Sequence, residues 1–247
     1  MTFILQLERV RKAFGGLVAN KDVTLRVPAG KIFGLIGPNG SGKTTLFNSI
    51  VGQHPIDGGS IRFDGREISR LRVPEIARLG LLRTFQQTRI YGGMTCLQNM
   101  VISVPTSELG WRSMFSRSPP EDLRRAEDLL DFVGLRPKRH QRAGDLSFGQ
   151  QKLLELAMAL MSRPKMLLLD EPTAGINPTL INGLLDRLRR VNQQLAITLL
   201  VIEHNMGVIM NLAEHVYCLA HGELLAEGKP EQVQKDPKVL DAYLGAR

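Results

Sequence analysis

Apolar and polar residues alternate early in the chain and fall into helical spacing later. Residues 3–10, Phe-Ile-Leu-Gln-Leu-Glu-Arg-Val, partly alternate at period two and predict a strand. Residues 11–16 read as a turn carrying one aromatic, Phe14. Residues 22–27 alternate cleanly, Asp-Val-Thr-Leu-Arg-Val, and predict a second strand. A turn at 28–31 leads into the short apolar run 31–36, and residues 45–51 read as a helix. Residues 58–65 predict a strand closed by an Asp-Gly turn.

From about residue 72 to 162 the period changes. A short helix is expected at 74–79. Leu123, Ala126, Leu130 and Val133 share one helical face within 121–133, and 150–161 is a strongly apolar helix. Residues 107–120, with Trp111 and Pro119-Pro120, form a polar loop in this helical stretch. Residues 165–171 are almost continuously apolar, as buried parallel strands are. A helix is expected over 178–192, a strand at 196–202, a helix at 205–212 and a strand at 216–219. The tail, 230–244, reads as helical.

The 247 residues suffice for one large α/β domain or two small ones. No apolar run reaches the roughly 20 residues that span a bilayer. The first eight residues lack the basic and apolar regions of a signal peptide, so a cytoplasmic protein is expected. Cys96 and Cys218 are far apart and in no metal-ligand spacing, which fits a reducing compartment. The net charge of +8 is scattered and not interleaved with aromatics. It reads as a solvated basic surface, and no nucleic-acid partner is expected.

The sharpest chemistry lies at Gly37, Pro38, Asn39, Gly40, Ser41, Gly42, Lys43, Thr44 and Thr45. The stretch fits the phosphate-loop pattern between a strand and a helix. Glycines let the backbone amides close on a polyphosphate, and the helix N-terminus adds partial positive charge. Lys43 supplies a full charge for the terminal phosphates, and the Thr44 hydroxyl can ligate Mg²⁺. A turn that only closes a fold needs no Lys-Thr pair there. The run ending in Asp170 and Glu171 places two carboxylates at the carboxyl end of a strand, where ligand crevices open. Asp170 suits Mg²⁺ opposite Thr44, and Glu171 suits the polarisation of an attacking water. Acidic pairs at strand ends are common, and the phosphate loop is what gives this one weight. Ser147 and Gln150 form a capping box for the helix that follows. Gly149 in its first turn is unfavourable for the helix, and close approach of a second phosphate explains it better.

Phosphate loop, Leu-Ser-x-Gly-Gln, then an apolar strand ending in Asp-Glu resemble, in that order, the ATP-binding-cassette ATPases over nearly the whole chain. The resemblance implies an α/β fold, a P-loop NTPase core with an antiparallel β subdomain and an inserted α-helical subdomain. Residues 1–85 and 163–247 would form the core and β subdomain, and 86–162 the helical subdomain with the signature, in one ATP-binding domain. It implies ATP and Mg²⁺ as cofactors and head-to-tail pairing with a second ATPase subunit, a like copy or a sister. Ser147, Gly149 and Gln150 would act on the partner's nucleotide. Gln86 would be the glutamine that senses Mg²⁺ and the attacking water, with Gln87 its neighbouring alternative. His204 would be the switch histidine and Phe14 the aromatic stacked on adenine. Phe148 stands where glycine is common, and residues 174–177, Ala-Gly-Ile-Asn, stand where many members have Ser-Ala-Leu-Asp.

Residues 83–86, 105–120, 174–178, 202–206 and 241–245 further resemble the ATPases of bacterial branched-chain amino acid uptake. Asn205 and the stretch 213–215 depart from that pattern. The resemblance implies an ATPase on the inner face of the membrane, working with two permeases and, indirectly, a periplasmic binding protein. A urea or amide importer, a lipid or polysaccharide exporter, and a soluble non-transport cassette ATPase are the alternatives.

Overall fold

The computed structural model describes residues 2–84, 90–104 and 119–244. Its contacts divide the chain into two units, one of residues 1–83, 165–173 and 188–247, the other of residues 84–164 and 174–187.

The first unit carries two sheets. β1 (Phe3–Phe14) and β2 (Leu17–Pro28) form an antiparallel hairpin, joined by β4 (Gly58–Phe63) and the two-residue β5 (Arg66–Glu67) in the order β2-β1-β4-β5. The turn expected over 11–16 is confined to Gly15 and Gly16, and the strand runs on to Phe14. Pairing of Arg11 with Gly58 and of Ala13 with Val18 holds that extension.

The second sheet is mixed. β3 (Ile32–Ile36), β6 (Leu81–Arg83), β7 (Met166–Asp170) and β8 (Thr198–Ile202) run parallel with β9 (His215–Ala220), and β10 (Glu223–Gly228) closes one edge antiparallel to β9. The order is β10-β9-β3-β8-β7-β6. β3, β7 and β8 are buried along their whole length, which explains their continuous apolar runs. One core joins Leu5, Leu7 and Phe63 of the first sheet, Leu35, Leu168 and Leu200 of the second, and Leu46, Phe47 and Ile50 of α1 (Lys43–Ile50). The register sets Leu35 beside Ile202, and Ile202 beside Asp170. The chain therefore leaves three adjacent parallel strands at neighbouring carboxyl ends: the phosphate loop after β3, Glu171 after β7, and Glu203 and His204 after β8.

α2 (Val73–Arg78), α7 (Met206–Leu212), α8 (Pro230–Val233) and α9 (Pro237–Leu244) complete this unit. The tail expected as one helical stretch is two helices separated by residues 234–236. β6 and β10 were not expected from the pattern; β6 has three residues, and β10 is a half-exposed edge with no alternation to read.

In the second unit α3 (Cys96–Ile102), α4 (Pro120–Phe132) and α5 (Phe148–Met161) pack together. Ala126 and Leu130 of α4 and Val133 at its end are buried, as their spacing predicts, whereas Leu123 of the same expected face is 38% exposed. α6 (Pro178–Leu195) starts in this unit, and its residues from Leu188 onward belong to the first. Among the described residues no helix is long and apolar enough to cross a membrane.

Candidate nucleotide site and signature turn

The phosphate loop follows from local chemistry. Gly37, Gly40 and Gly42 take φ of 147°, 78° and 98°. A Cβ on Gly37 would lie 2.0 Å from the Leu219 carbonyl oxygen, and one on Gly42 would lie 2.2 Å from that of Ala19. Only glycine fits at these two points. No side chain caps the N-terminus of α1, so its first amides face the loop. Lys43 Nζ is folded back over the loop and donates to the carbonyls of Gly37 (2.7 Å) and Pro38 (2.9 Å). Burial lowers the Lys43 pKa, while Glu171, Cys218 and Asp170 push the other way. A buried ammonium beside an uncapped helix start is a donor set suited to a polyphosphate. The oxygen donors Thr44 and Asp170 are of the kind Mg²⁺ takes. Thr44 is exposed at the start of α1.

Asp170 is buried at the end of β7 and forms an ion pair with Arg83 of β6, whose guanidinium also donates to the Asn48 side chain of α1. Glu171 departs from the strand at φ 47°, left-handed backbone that a non-glycine residue occupies at a cost of about 1–2 kcal/mol. Its N–H donates to the Ile202 carbonyl at 2.9 Å, tying it to the end of β8. His204 Nδ1 lies 3.6 Å from Glu171 Oε1, with the imidazole 60% exposed and the carboxylate 22%. Lys43, Asp170, Glu171 and His204 thus stand around the same strand ends.

Glu203 was not expected as a site residue. It is fully buried, and its Oε1 accepts from both the Thr173 amide (3.0 Å) and the Thr173 hydroxyl (2.5 Å). Its Oε2 is buried without a hydrogen bond. The bonds join the turn after Asp170-Glu171 to the segment carrying His204. The one trace in the sequence is a charged residue directly after the apolar run Leu199–Ile202.

Phe14 ends β1 and is 46% exposed, its ring edge-on to His54 at 5.4 Å and beneath Lys12 Nζ at 5.1 Å. Gln86 and Gln87 lie outside the described residues, as do Trp111 and Gly245.

In the second unit the Ser147–Gln150 capping box forms as expected. Ser147 Oγ accepts from the Gln150 amide at 3.4 Å, and Gln150 Oε1 accepts from the Ser147 amide at 3.1 Å. A Cβ on Gly149 would meet only Leu180 Cδ1 at 3.6 Å, ordinary contact, so packing within this chain does not call for glycine there. Phe148 has its own explanation. A Cβ on Gly175, at φ 74°, would come within 2.9 Å of the Phe148 ring. The aromatic in the signature and the glycine in the turn at 174–177 are a matched pair. Asn177 Oδ1 accepts from the Thr179 amide and hydroxyl, starting α6, and Asn205 Oδ1 accepts from the amides of Gly207 and Val208, capping α7. Both asparagines do the N-terminal capping that aspartate also does.

The ABC transporter family model matches residues 20–174, more than half of the chain. This chain belongs to the ABC transporter family. A second model, branched-chain amino acid ATP-binding cassette transporter, matches residues 223–247. The chain is 39% identical to the high-affinity branched-chain amino acid transport ATP-binding protein BraF of Pseudomonas aeruginosa, over 98% of each. It is similar to an ATP-binding cassette of an ABC transporter solved in its ADP conformation: TM-score 0.90, 35% identity, 99% of this chain and 100% of that one. A dimeric ATP-binding cassette in a post-hydrolysis state, bound to ADP and Pi, aligns with TM-score 0.78 and 26% identity over 92% of this chain and 98% of its own. The fold is the ABC ATPase cassette, the α/β architecture expected from the motif order.

Proposed function

We propose that this chain is the ATP-binding and ATP-hydrolysing subunit of a bacterial ABC importer for branched-chain amino acids. The observation that carries the catalytic part is the gathering of Lys43, Asp170, Glu171 and His204 at the ends of β3, β7 and β8. Near-full-length likeness to BraF, with the C-terminal match at 223–247, supports the solute class.

In this reading the loop at 37–45 holds the phosphates of ATP through its backbone amides from Asn39 onward, and the Lys43 ammonium moves from the Gly37 and Pro38 carbonyls to them. Thr44, Asp170 and Gln86 would hold Mg²⁺, and the ion would supply positive charge beside the terminal phosphates. Glu171 orients and polarises the attacking water, and His204, held beside it, stabilises charge at the terminal phosphate. Phe14 offers a ring face to adenine. Ser147, Gly149 and Gln150 reach the nucleotide of a second ATPase subunit paired head to tail, a role consistent with a glycine that its own chain does not require. The cassette is one functional domain in which the helical part, about 86–162, meets two permeases on the inner face of the membrane. A periplasmic binding protein delivers the solute.

The test is co-purification of the tagged chain from native membranes in gentle detergent, followed by reconstitution. Two polytopic permeases, a second cassette subunit and ATP-dependent leucine uptake are expected. Ribosomal proteins or DNA in their place would overturn the transport reading.

A further inference from the structure

The last helix reaches the phosphate loop. Asp236 Oδ1 accepts from the Lys238 amide at 2.8 Å and starts α9, and Val239 buries one side of it. Tyr243, four residues on, lies on that same side. Its hydroxyl accepts a 2.8 Å hydrogen bond from the amide of Gly37, the first residue of the loop, 206 positions away in the chain. Tyr243 is 38% exposed, and partial burial pushes its pKa up, so the phenol is neutral at physiological pH.

Gly37 is held at three points. The Leu219 carbonyl of β9 leaves no room for a Cβ, Tyr243 takes its N–H, and its own carbonyl receives Lys43 Nζ. One residue thus joins the C-terminal helix to the lysine of the loop. The motif itself predicts no such contact, because Gly37 precedes the amides that face the phosphates.

We propose that Tyr243 is a positioning residue for the phosphate loop, and that α9 through it sets how much of the free protein holds the loop ready for nucleotide. The proposal rests on the reading of residues 37–45 as the ATP site. Without the hydroxyl the Gly37 amide loses its partner, and the loop start samples other conformations. Apparent affinity then falls in proportion to the competent fraction. A neutral hydrogen bond of ordinary strength corresponds to a population change of roughly three- to tenfold.

The test is Tyr243→Phe in the full chain, with Leu244→Ala, a substitution at an 82% exposed position of the same helix, as the control. Equilibrium binding of Mg·ATP and steady-state hydrolysis are measured well below the melting temperature. Tyr243→Phe is expected to raise the dissociation constant and KM about three- to tenfold. Its kcat is expected to stay within about twofold, because Glu171 and His204 are untouched. Leu244→Ala is expected to bind as the unmodified chain does. Equal affinity of Tyr243→Phe and the unmodified chain overturns the proposal and leaves the ATP site standing. An equal loss in Leu244→Ala overturns it too, by assigning the effect to the helix at large. If the unmodified chain binds no Mg·ATP, the site reading fails and the proposal falls with it.

Discussion

Replacing Glu203 tests whether a buried side chain holds the turn that follows Asp170 and Glu171. Its Oε1 serves two donors of Thr173, the amide at 3.0 Å and the hydroxyl at 2.5 Å, in a place without solvent. Glu203→Ala leaves both donors buried without that acceptor, at roughly 1–3 kcal/mol each, and adds a cavity. A loss of about 2–5 kcal/mol follows, which at this chain length lowers the melting temperature by about 5–15 °C. Glu203→Gln keeps the volume and an acceptor oxygen for Thr173, and it replaces the second oxygen, which has no hydrogen bond. That variant should melt within a few degrees of the unmodified chain. The kinetic effect follows from connectivity. Thr173 is two residues from Glu171, whose φ of 47° persists only while the turn is held. A shift on the order of 1 Å at Glu171, the carboxylate proposed to polarise water, should lower kcat by up to about 100-fold. Differential scanning fluorimetry and a phosphate-release assay on the three proteins decide the matter. If Glu203→Ala melts and turns over like the unmodified chain, the clamp is not what holds Glu171, and the reasoning is wrong.

Glu171→Gln should bind Mg·ATP with near-normal affinity and release phosphate about 100- to 1,000-fold more slowly; normal turnover would remove Glu171 from its role. Gly37→Ala forces a Cβ to 2.0 Å from the Leu219 carbonyl oxygen, so nucleotide affinity should fall by more than about tenfold in a binding titration. Burial lowers the His215 pKa below 6.5, outweighing the Glu227 charge that raises it. Between that lowered value and 6.5 the unfolded chain binds more protons than the folded one. Stability from this group is therefore complete above pH 6.5 and declines as pH falls through that window. Melting curves from pH 8 to pH 5 should show a shallower decline in His215→Phe. The Cys218 thiol is pushed up to about 11 by burial and Cys96 is buried as well, so a thiol reagent at neutral pH should label neither until the chain unfolds.

The parts of the site legible in the sequence are those whose physics is local. Residues 37–45 specify their own turn, because glycine tolerates φ of 78° and 98° and a lysine-threonine pair suits the helix start. Ser147 and Gln150 cap a helix three residues apart, and the unbroken apolar runs of β7 and β8 announce strands buried on both faces. The aromatic at 148 and the asparagines at 177 and 205 read as departures in the sequence, and each finds its reason in a neighbour: the Gly175 turn or a helix start.

What the tertiary structure alone decided is which distant groups meet. β1 runs through an expected turn because β2 and β4 supply partners for its backbone. β6 and β10 exist because a neighbouring strand takes their hydrogen bonds, for no periodicity marks three residues or a half-exposed edge. Arg83 pairs with Asp170, Glu203 with Thr173, and Tyr243 with Gly37 across separations of 87, 30 and 206 residues. Propensity and spacing act within a turn or two of the chain. These three contacts form only when the sheet order brings strand ends and the last helix together, and where burial is complete, as at Glu203 and Thr173, a satisfied hydrogen bond is worth more than one in water.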